Sequence, residues 1–418
     1  MSIGYACLTV GVRNAEFKNC ILKNATPKRL YELIGHNLII LDRIIDYNIA
    51  NNIRLFRISS DLIPFGSSPV NQLPWHKDFS EQFHRIGTKI KSSGMRVSMH
   101  PGQYTVLNSP DEGVVRRAVE DLEYHERVLS SLDLDGTHKI VLHIGGVYND
   151  KKASSARFIF HYEQLSERVK KRLVIENDDR SYNIADLLAI SRAVNAPVIF
   201  DNLHHWINPA DHETPEMDWI DECALTWKPE DGRQKIHYSQ QEPSKKPGSH
   251  SETVRIREFM EFSHDLNGRC LDIMLEVKDK NLSALKCINC TSREPSIRVL
   301  EAEWSKYKYV VLERSPQDYQ TIRELLKDKS GYPAVQFYEL LEEVLLYPEM
   351  KGNAINAAQH VWAYFKDVAS DKERAGFFGR IEKYQQSEIS LKLLKNYLHQ
   401  LAVKYQRDYL LDSYYFAF

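Results

Sequence analysis

The stretch Val198-Ile-Phe-Asp-Asn-Leu-His-His-Trp206 indicates both the fold of this chain and its chemistry. Its first three residues are apolar and β-prone, which is typical of a strand buried on both faces of a parallel sheet. Asp201 and His204 follow where that strand would open into a loop. A carboxylate and an imidazole at such a point can bind one metal ion. The same order, an apolar strand and then a potential ligand, recurs along most of the first 276 residues.

Eight apolar runs alternate with helical stretches in this part of the chain. The predicted strands are residues 3–8, 53–58, 95–99, 139–142, 173–175, 198–200, 235–238 and 271–275. Eight strand–helix units over roughly 280 residues match the size of a TIM (β/α)8 barrel. A doubly wound sheet is the main alternative, but no glycine-rich dinucleotide loop follows the first strand. We therefore predict an α/β fold with a TIM barrel.

The pattern changes after residue 285. Mixed charge and a proline fill the next stretch, and apolar residues then recur at helical spacing, for example in 337–345 and 391–405. We expect a barrel domain at 1–290, a linker at 291–330 and a small all-α domain at 331–418.

Composition describes an ordinary globular protein, with 43% hydrophobic and 27% charged residues. The formal net charge of -2 gives no global attraction to nucleic acid, so any polyanion site must be a local basic patch. Six scattered cysteines suit a reducing compartment. The sequence has no signal-peptide pattern and no apolar run long enough to span a bilayer. We expect a cytoplasmic protein without membrane association.

The ends of the predicted strands carry the candidate chemistry, because the functional face of a barrel lies at the carboxyl ends of its strands. From the third strand onward these ends hold His100, His143, Glu176, Asp201, His237 and Glu276, and the nearby loops add His204 and His250. Each residue alone has an ordinary structural explanation. Six successive strand ends bearing only such side chains would be costly unless the side chains were paired or metal-bound.

Eight mixed histidine and carboxylate ligands are too many for one ion and suit Mn, Zn or Fe, so we infer two or three metal ions. Such a cluster favours phosphodiester hydrolysis, although the same ligands could hold sugar hydroxyls for isomerisation. Lys235 lies two residues before His237 and shares its face of the strand. It is either an ion-pairing lysine or a modified, metal-proximal one.

Five segments resemble the motifs of UV damage endonucleases, and they occur in the order expected of that family. They are His100-Pro-Gly-Gln-Tyr104, Leu142-His-Ile-Gly-Gly146, Val174-Ile-Glu-Asn-Asp178, Phe200-Asp-Asn-Leu-His-His205 and Leu275-Glu-Val-Lys-Asp279. The resemblance covers residues 1 to about 290. It implies a TIM barrel like that of the endonuclease IV group, together with an additional C-terminal helical domain of uncharacterised function.

The resemblance also implies a reaction. The enzyme would incise double-stranded DNA immediately 5′ of cyclobutane dimers, 6-4 photoproducts or abasic sites, leaving a 3′-hydroxyl and a 5′-phosphate. The expected metal is Mn²⁺, with Zn²⁺, Mg²⁺ or Co²⁺ as alternatives. The expected ligands are His100, His143, Glu176, Asp201, His204, His237, His250 and Glu276. We expect Glu176, His237 and Glu276 to be catalytic together with Lys235, which matches a lysine that can be carboxylated.

Contacts with DNA follow from the same resemblance. Gln103 and Tyr104 match a pair that probes the lesion, and Tyr5 matches a first-strand tyrosine that faces DNA, although Thr9 stands near where the family often has asparagine. Lys151, Lys245 and Lys246 fall in predicted loops on the active face, where they would contact phosphates.

Other readings of the sequence remain open. The alternatives are an abasic-site endonuclease or a sugar isomerase on the same barrel, and a lesion-binding protein that does not cut. We expect a monomer whose helical tail meets other repair proteins, but that tail could equally be a packing accessory.

Overall fold

The computed structural model describes residues 1–418 and contains an eight-stranded parallel barrel. The strands are β1 (Ile3–Ala6), β2 (Leu55–Arg57), β3 (Arg96–Met99), β4 (Lys139–His143), β5 (Leu173–Glu176), β6 (Val198–Ile199), β7 (Lys235–Tyr238) and β8 (Asp272–Leu275). Neighbouring strands pair in parallel from β6 back to β1 and then through β8 to β7. A parallel bridge between Asp201 and His237 joins the two ends. All eight predicted strands and the TIM-like barrel are therefore confirmed.

Helices connect the strands because the sequence between them supplies caps and apolar faces. They are α1 (Pro27–Ala50), α2 (Trp75–Asp78), α3 (Ser80–Ser92), α4 (Glu112–Ser131), α5 (Lys151–Glu163), α6 (Glu167–Arg172), α7 (Ile184–Val194), α8 (Asn202–Ile207), α9 (Glu216–Ala224), α10 (Ile256–Asp265) and α11 (Asn281–Cys290). Thr26 caps α1 by accepting the Arg29 N–H at 3.3 Å, with Pro27 in the first turn. Such caps fix where each helix leaves its strand.

The C-terminal part of the chain is entirely helical, as predicted. Its helices are α12 (Ile297–Arg314), α13 (Pro316–Leu325), α14 (Ala334–Leu345), α15 (Lys351–Trp362), α16 (Asp371–Gln385), α17 (Leu391–Lys404) and α18 (Asp408–Leu411). They enclose a core of their own, in which the rings of Trp362 and Phe377 stack with centroids 4.6 Å apart. Residues 291–330, predicted as a linker, contain α12 and α13.

The chain divides into two compact units. The barrel unit comprises Met1–Thr9, Asn14–Val254 and Phe262–Leu285, and the helical unit comprises Val10–Arg13, Arg255–Glu261 and Lys286–Phe418. Whether the predicted boundaries mark separately folding domains stays a prediction. No helix of the structure is both long and apolar enough to cross a membrane.

Candidate metal centre

Seven of the eight predicted ligands come together at the carboxyl ends of the barrel strands. They form three groups whose potential ligand atoms lie within 4.8 Å of one another: His100 with His143 and Glu176, Glu176 with Asp201 and His204, and Glu176 with His237 and Glu276. Parallel pairing explains part of this convergence, since His143 of β4 lies in register with Glu176 of β5. The geometry therefore gives three overlapping candidate metal positions around one carboxylate.

Glu176 is the centre of this arrangement and is almost fully buried. Its Oε2 lies 3.0 Å from His100 Nε2 and 3.5 Å from His143 Nε2, and its Oε1 contacts His237 Nδ1. Burial acts to raise the pKa of this carboxyl, but His237 and His143 together with the His100 hydrogen bond hold it well below its usual value. Glu176 is therefore an ionised carboxylate inside the barrel.

Backbone carbonyls orient three of the histidines. His100 Nδ1 lies 3.0 Å from the Pro101 oxygen, His143 Nδ1 lies 3.3 Å from the Glu176 oxygen, and His204 Nδ1 lies 2.9 Å from the Asn177 oxygen. A carbonyl can only accept, so each of these contacts favours a proton on Nδ1, and Nε2 would then be the nitrogen that binds a metal ion. This is the arrangement that metal-binding histidines adopt in proteins. Burial acts to lower the pKa of His204, but Asp201, Glu176 and Glu276 raise it to about 9, so His204 would release its Nε2 proton when a metal ion binds.

Asp201 provides an independent indication that a cation belongs here. Its Oδ1 caps α8 by accepting the His204 N–H at 2.8 Å, whereas its Oδ2 is buried without a hydrogen-bond partner. Burial raises the pKa of Asp201 to about 7, which reflects the cost of an unmatched buried charge. A metal ion at this oxygen would remove that cost, so the residues present fit the implied ions.

The remaining ligands have the charge states that metal binding requires. Burial lowers the pKa of His237 to about 4, so its ring is neutral near neutral pH. For Glu276, burial acts to raise the pKa, but Arg57, His237 and His250 together outweigh it and hold the pKa well below its usual value. Neutral imidazoles and ionised carboxylates are the forms that bind metals.

Arg57 is the residue of this site that sequence reasoning missed. It ends β2, is almost fully buried, donates to Glu276 Oε1, and has Nη2 3.0 Å from His237 Nε2. The predicted second strand ran to residue 58, one residue beyond the observed end of β2, so Arg57 did not stand out as a strand-end residue. Asn177, also missed, holds the backbone of Asp201 with hydrogen bonds of 3.0 and 2.8 Å.

His250 and Lys235 lie beside these groups rather than in them. His250 Nε2 is 3.9 Å from Glu276 Oε2, and His250 is not a member of any of the three groups. Lys235 is buried on β7, and burial, reinforced by the positive charges of Arg57 and Arg96, lowers the pKa of its amine well below the usual value. Both remain predicted participants, and the carboxylation of Lys235 stays a prediction.

A cavity of about 610 Å³ opens beside the cluster. Its lining includes the ligands His100, His143 and His204 together with Gln103 and Lys246. Next to Gln103, the Tyr104 side chain is 72% exposed, and a Cβ on Gly102 would lie 2.4 Å from its ring. Glycine at 102 therefore allows the Tyr104 ring to lie against the backbone of the loop after β3.

The structure corrects the prediction for Tyr5. Its side chain is fully buried, its hydroxyl donates to Asn48 Oδ1 of α1 at 2.8 Å, and its ring packs on Phe56 with centroids 5.1 Å apart. Tyr5 therefore points into the layer between sheet and helix and does not face DNA.

The predicted phosphate contacts differ among the three lysines. Lys151 begins α5 instead of lying in a loop and pairs with Asp186, and Lys245 pairs with Glu252 at 2.8 Å. Lys246 lies in the predicted loop, is exposed and lines the cavity. It is the best placed of the three to contact a phosphate near the cluster.

Comparisons with known proteins match this geometry to a family. The model of the family described as UV-endonuclease UvdE matches residues 1–303. The chain belongs to the UV-endonuclease UvdE family. Membership confirms the prediction of a DNA endonuclease that acts in the repair of UV damage. Residues 308–418 match a second family, described as a protein of unknown function (DUF1722).

Individual relatives agree with this assignment. The chain is 39% identical to the UV DNA damage endonuclease of Clostridium perfringens (strain 13 / Type A) over 402 residues, which cover 94% of this chain and 96% of that protein. It is 30% identical to the enzyme of the same name from Bacillus cereus (strain G9842), over 64% of this chain and 84% of that one. The crystal structure of SacUVDE superposes with a TM-score of 0.66 at 39% identity, covering 69% of this chain and 97% of that chain.

Proposed function

We propose that the chain cuts the backbone of double-stranded DNA immediately 5′ of a UV photoproduct, leaving a 3′-hydroxyl and a 5′-phosphate. Cyclobutane dimers and 6-4 photoproducts are the expected substrates, and abasic sites are a further one. The observation that carries this proposal is the set of three ligand groups that share Glu176. Family membership directs that site toward damaged DNA.

Two or three divalent cations would occupy the three ligand groups, and Mn²⁺ is the cation that we expect. When bound, such ions polarise a phosphoryl oxygen, lower the pKa of a water molecule and stabilise the leaving oxygen. Zn²⁺, Mg²⁺ and Co²⁺ are alternatives with compatible ligand preferences. The buried, unpartnered Asp201 Oδ2 and the carbonyl-oriented imidazoles support cation binding without reference to any relative.

The protein side chains supply binding and orientation. Glu176 and Glu276 would share the ions, and His237, between them, would keep the two carboxylates apart. Arg57 already donates to Glu276, so its guanidinium would keep that carboxylate oriented toward the cluster. Lys235, behind His237, completes the predicted catalytic set. His250 would join at the edge of the cluster through its contact with Glu276.

Lesion recognition would take place at the cavity beside the cluster. Tyr104 presents an exposed ring on which an unstacked base can lie, and Gln103 offers an amide to the space that the damaged nucleotides leave. Lys246 would bind a phosphate on the same rim. These groups select distorted DNA because an intact duplex keeps its bases stacked.

A duplex with one thymine dimer tests the proposal directly. The damaged strand is labelled at its 5′ end and incubated with the protein and Mn²⁺, beside an undamaged duplex and one with an abasic site. We expect one product that ends immediately 5′ of the dimer, that a polymerase can extend, and whose partner fragment a ligase can join. Equal cutting of the undamaged duplex, or a 3′-phosphate, would contradict the proposal.

Two further expectations concern the protein in solution. We propose that it acts as a monomer and that the helical unit meets other repair proteins. Light scattering tests the first expectation, since a monomer of 48.6 kDa is well separated from a dimer. If the protein bound the duplex with the thymine dimer but did not cut it, the alternative of a lesion-binding protein would be favoured.

A further inference from the structure

The helical unit contains a groove between α16 and α17 that has no role in the proposed cutting reaction. Its volume is about 530 Å³, and one face of each helix lines it. On α16 this face holds Ala375, Gly376 and Gly379, and on α17 it holds Leu393, Asn396, Tyr397 and Gln400, with Ile389 just before α17. Spacings of three and four residues place each set on one side of its helix.

Small residues keep this groove open. A Cβ on Gly379 would meet no atom within 4 Å, and a Cβ on Gly376 would lie 2.8 Å from the Tyr397 hydroxyl oxygen. On their other faces the two helices pack through buried residues such as Phe377 and Leu398. The helices are therefore held together on one side, while the side with glycines leaves room for a ligand.

The groove carries positive charge without a matching carboxylate. Arg380 and Lys383 line it, no acidic side chain does, and neither of the two makes an ion pair. Lys404 on α17 shows the contrast, since it pairs with Glu373 at 2.6 Å. A concave site with two unpaired cations favours an anionic ligand.

Arg380 and Tyr397 are already arranged for stacking. The guanidinium carbon lies 4.1 Å from the centroid of the Tyr397 ring, and Nη1 donates to the Gly376 carbonyl at 2.8 Å. The Tyr397 hydroxyl donates to the Glu373 carbonyl at 2.9 Å. These bonds fix a planar cation against an aromatic ring, which is a surface on which a nucleobase can stack.

We propose that this groove binds single-stranded nucleic acid. Arg380 and Lys383 contact backbone phosphates, the Arg380–Tyr397 pair stacks on a base, and the amides of Asn396 and Gln400 meet base edges. An acidic peptide would satisfy the charges but would leave the stacking surface and the two amides without use. A duplex keeps its bases paired and offers only phosphates.

Binding of fluorescent oligothymidylate to the full-length chain, followed by anisotropy in the presence of a chelator, tests this site. The double variant Arg380→Gln, Lys383→Gln should bind about tenfold more weakly or worse, and the slope of log affinity against log salt should fall by about 1.4. Gly379→Met should also weaken binding, because its side chain fills the groove, while the melting temperature stays the same or rises. The control replaces Lys372 and Lys392, exposed lysines of the same helices that lie outside the groove, with glutamine.

Three results would overturn the proposal. They are equal affinity and salt slope in all variants, displacement of the oligonucleotide by polyglutamate at equal charge, and tighter groove-dependent binding of a duplex than of the single strand. An oligouridylate probe in parallel reports whether the sugar matters, and binding of either probe through the groove supports the proposal. All groove variants should still nick irradiated plasmid, so this site can fail without affecting the proposed nuclease function.

Discussion

The barrel and the helical unit each bury ionised side chains, but they do so in different ways. In the helical unit, Lys395 lies 2.7 Å from Glu313 Oε2 and 4.6 Å from the centroid of the Tyr415 ring. The buried ammonium group of Lys395 and the buried carboxylate of Glu313 therefore form an ion pair. At the barrel mouth, Glu276 pairs with Arg57, but Glu176 and Asp201 meet imidazoles, and Asp201 Oδ2 has no hydrogen-bond partner.

This difference separates a structural ion pair from a binding site. A paired lysine and carboxylate need nothing further, because their mutual attraction offsets much of the cost of burial. At the barrel mouth three carboxylates converge and Arg57 pairs with one of them, so the others need a further cation. Burial of charge alone therefore does not identify a functional site, whereas an excess of convergent lone pairs does.

The largest expected effect comes from the residue that the three ligand groups share. Glu176→Gln should lower the nicking rate at least about a thousandfold, because bound metal contributes several kcal/mol to such reactions. Elemental analysis should show loss of bound metal in the same sample. Glu120→Gln, at an exposed position, serves as the control. Unchanged metal content in the Glu176 variant would show that the carboxylates at the barrel mouth do not bind metal through Glu176. The contrast with the Lys395–Glu313 ion pair would then be lost.

Breaking the ion pair should act on stability instead of activity. Lys395→Met leaves Glu313 buried without its cation and should lower the free energy of unfolding by about 3–5 kcal/mol. Adding Glu313→Leu should recover most of that loss, since no unpaired charge remains. Urea unfolding measures both variants, and folded samples should nick irradiated DNA normally. A double variant as unstable as the single one would show that the loss of stability does not come from an unpaired Glu313 charge.

Replacing Arg57 tests whether a positively charged side chain of the protein is needed to orient Glu276 at the barrel mouth. Arg57→Lys keeps the charge but cannot reach Glu276 and His237 with the same geometry. We expect nicking at saturating Mn²⁺ to fall by about 10- to 100-fold, as for other residues that orient metal ligands. Arg116→Lys on the exposed face of α4 is the matched control. A full rate in the Arg57 variant would mean that Glu276 needs no such support.

The smallest expected effect concerns lesion recognition. Gln103→Ala with Tyr104→Ala should weaken binding to irradiated DNA by roughly tenfold and leave binding to intact DNA unchanged, because stacking requires an unstacked base. Phe160→Ala removes another exposed ring and serves as the control. Equal losses on irradiated and intact DNA would contradict lesion probing.

The fold was predictable from the sequence because its strands are buried on both faces. Continuous apolar runs such as Val198 to Phe200 are visible without knowledge of any contact. Six of the seven ligands that come together lie at the predicted strand ends, and His204 follows Asp201 in the next loop. Residues 291–330 were harder to interpret, because mixed charge and Pro295 resemble a break in the chain, yet α12 begins two residues later at Ile297.

Side-chain direction and pairing set the limit of sequence reasoning. Tyr5 was expected to face DNA, yet its hydroxyl donates to Asn48 of α1. Lys151 and Lys245 look available in sequence but are engaged by Asp186 and Glu252. Only the folded chain shows which charges already have partners and which, such as Arg380, do not.

Nicking of supercoiled plasmid tests the central claim most directly. Irradiated and unirradiated plasmids are incubated with the protein in Mn²⁺ and after chelation. We predict nicking only of irradiated plasmid and only with metal, and recovery when Mn²⁺ is restored. Undiminished nicking by folded protein from which all metal has been removed, or equal nicking of both plasmids, would contradict a metal-dependent endonuclease specific for UV damage.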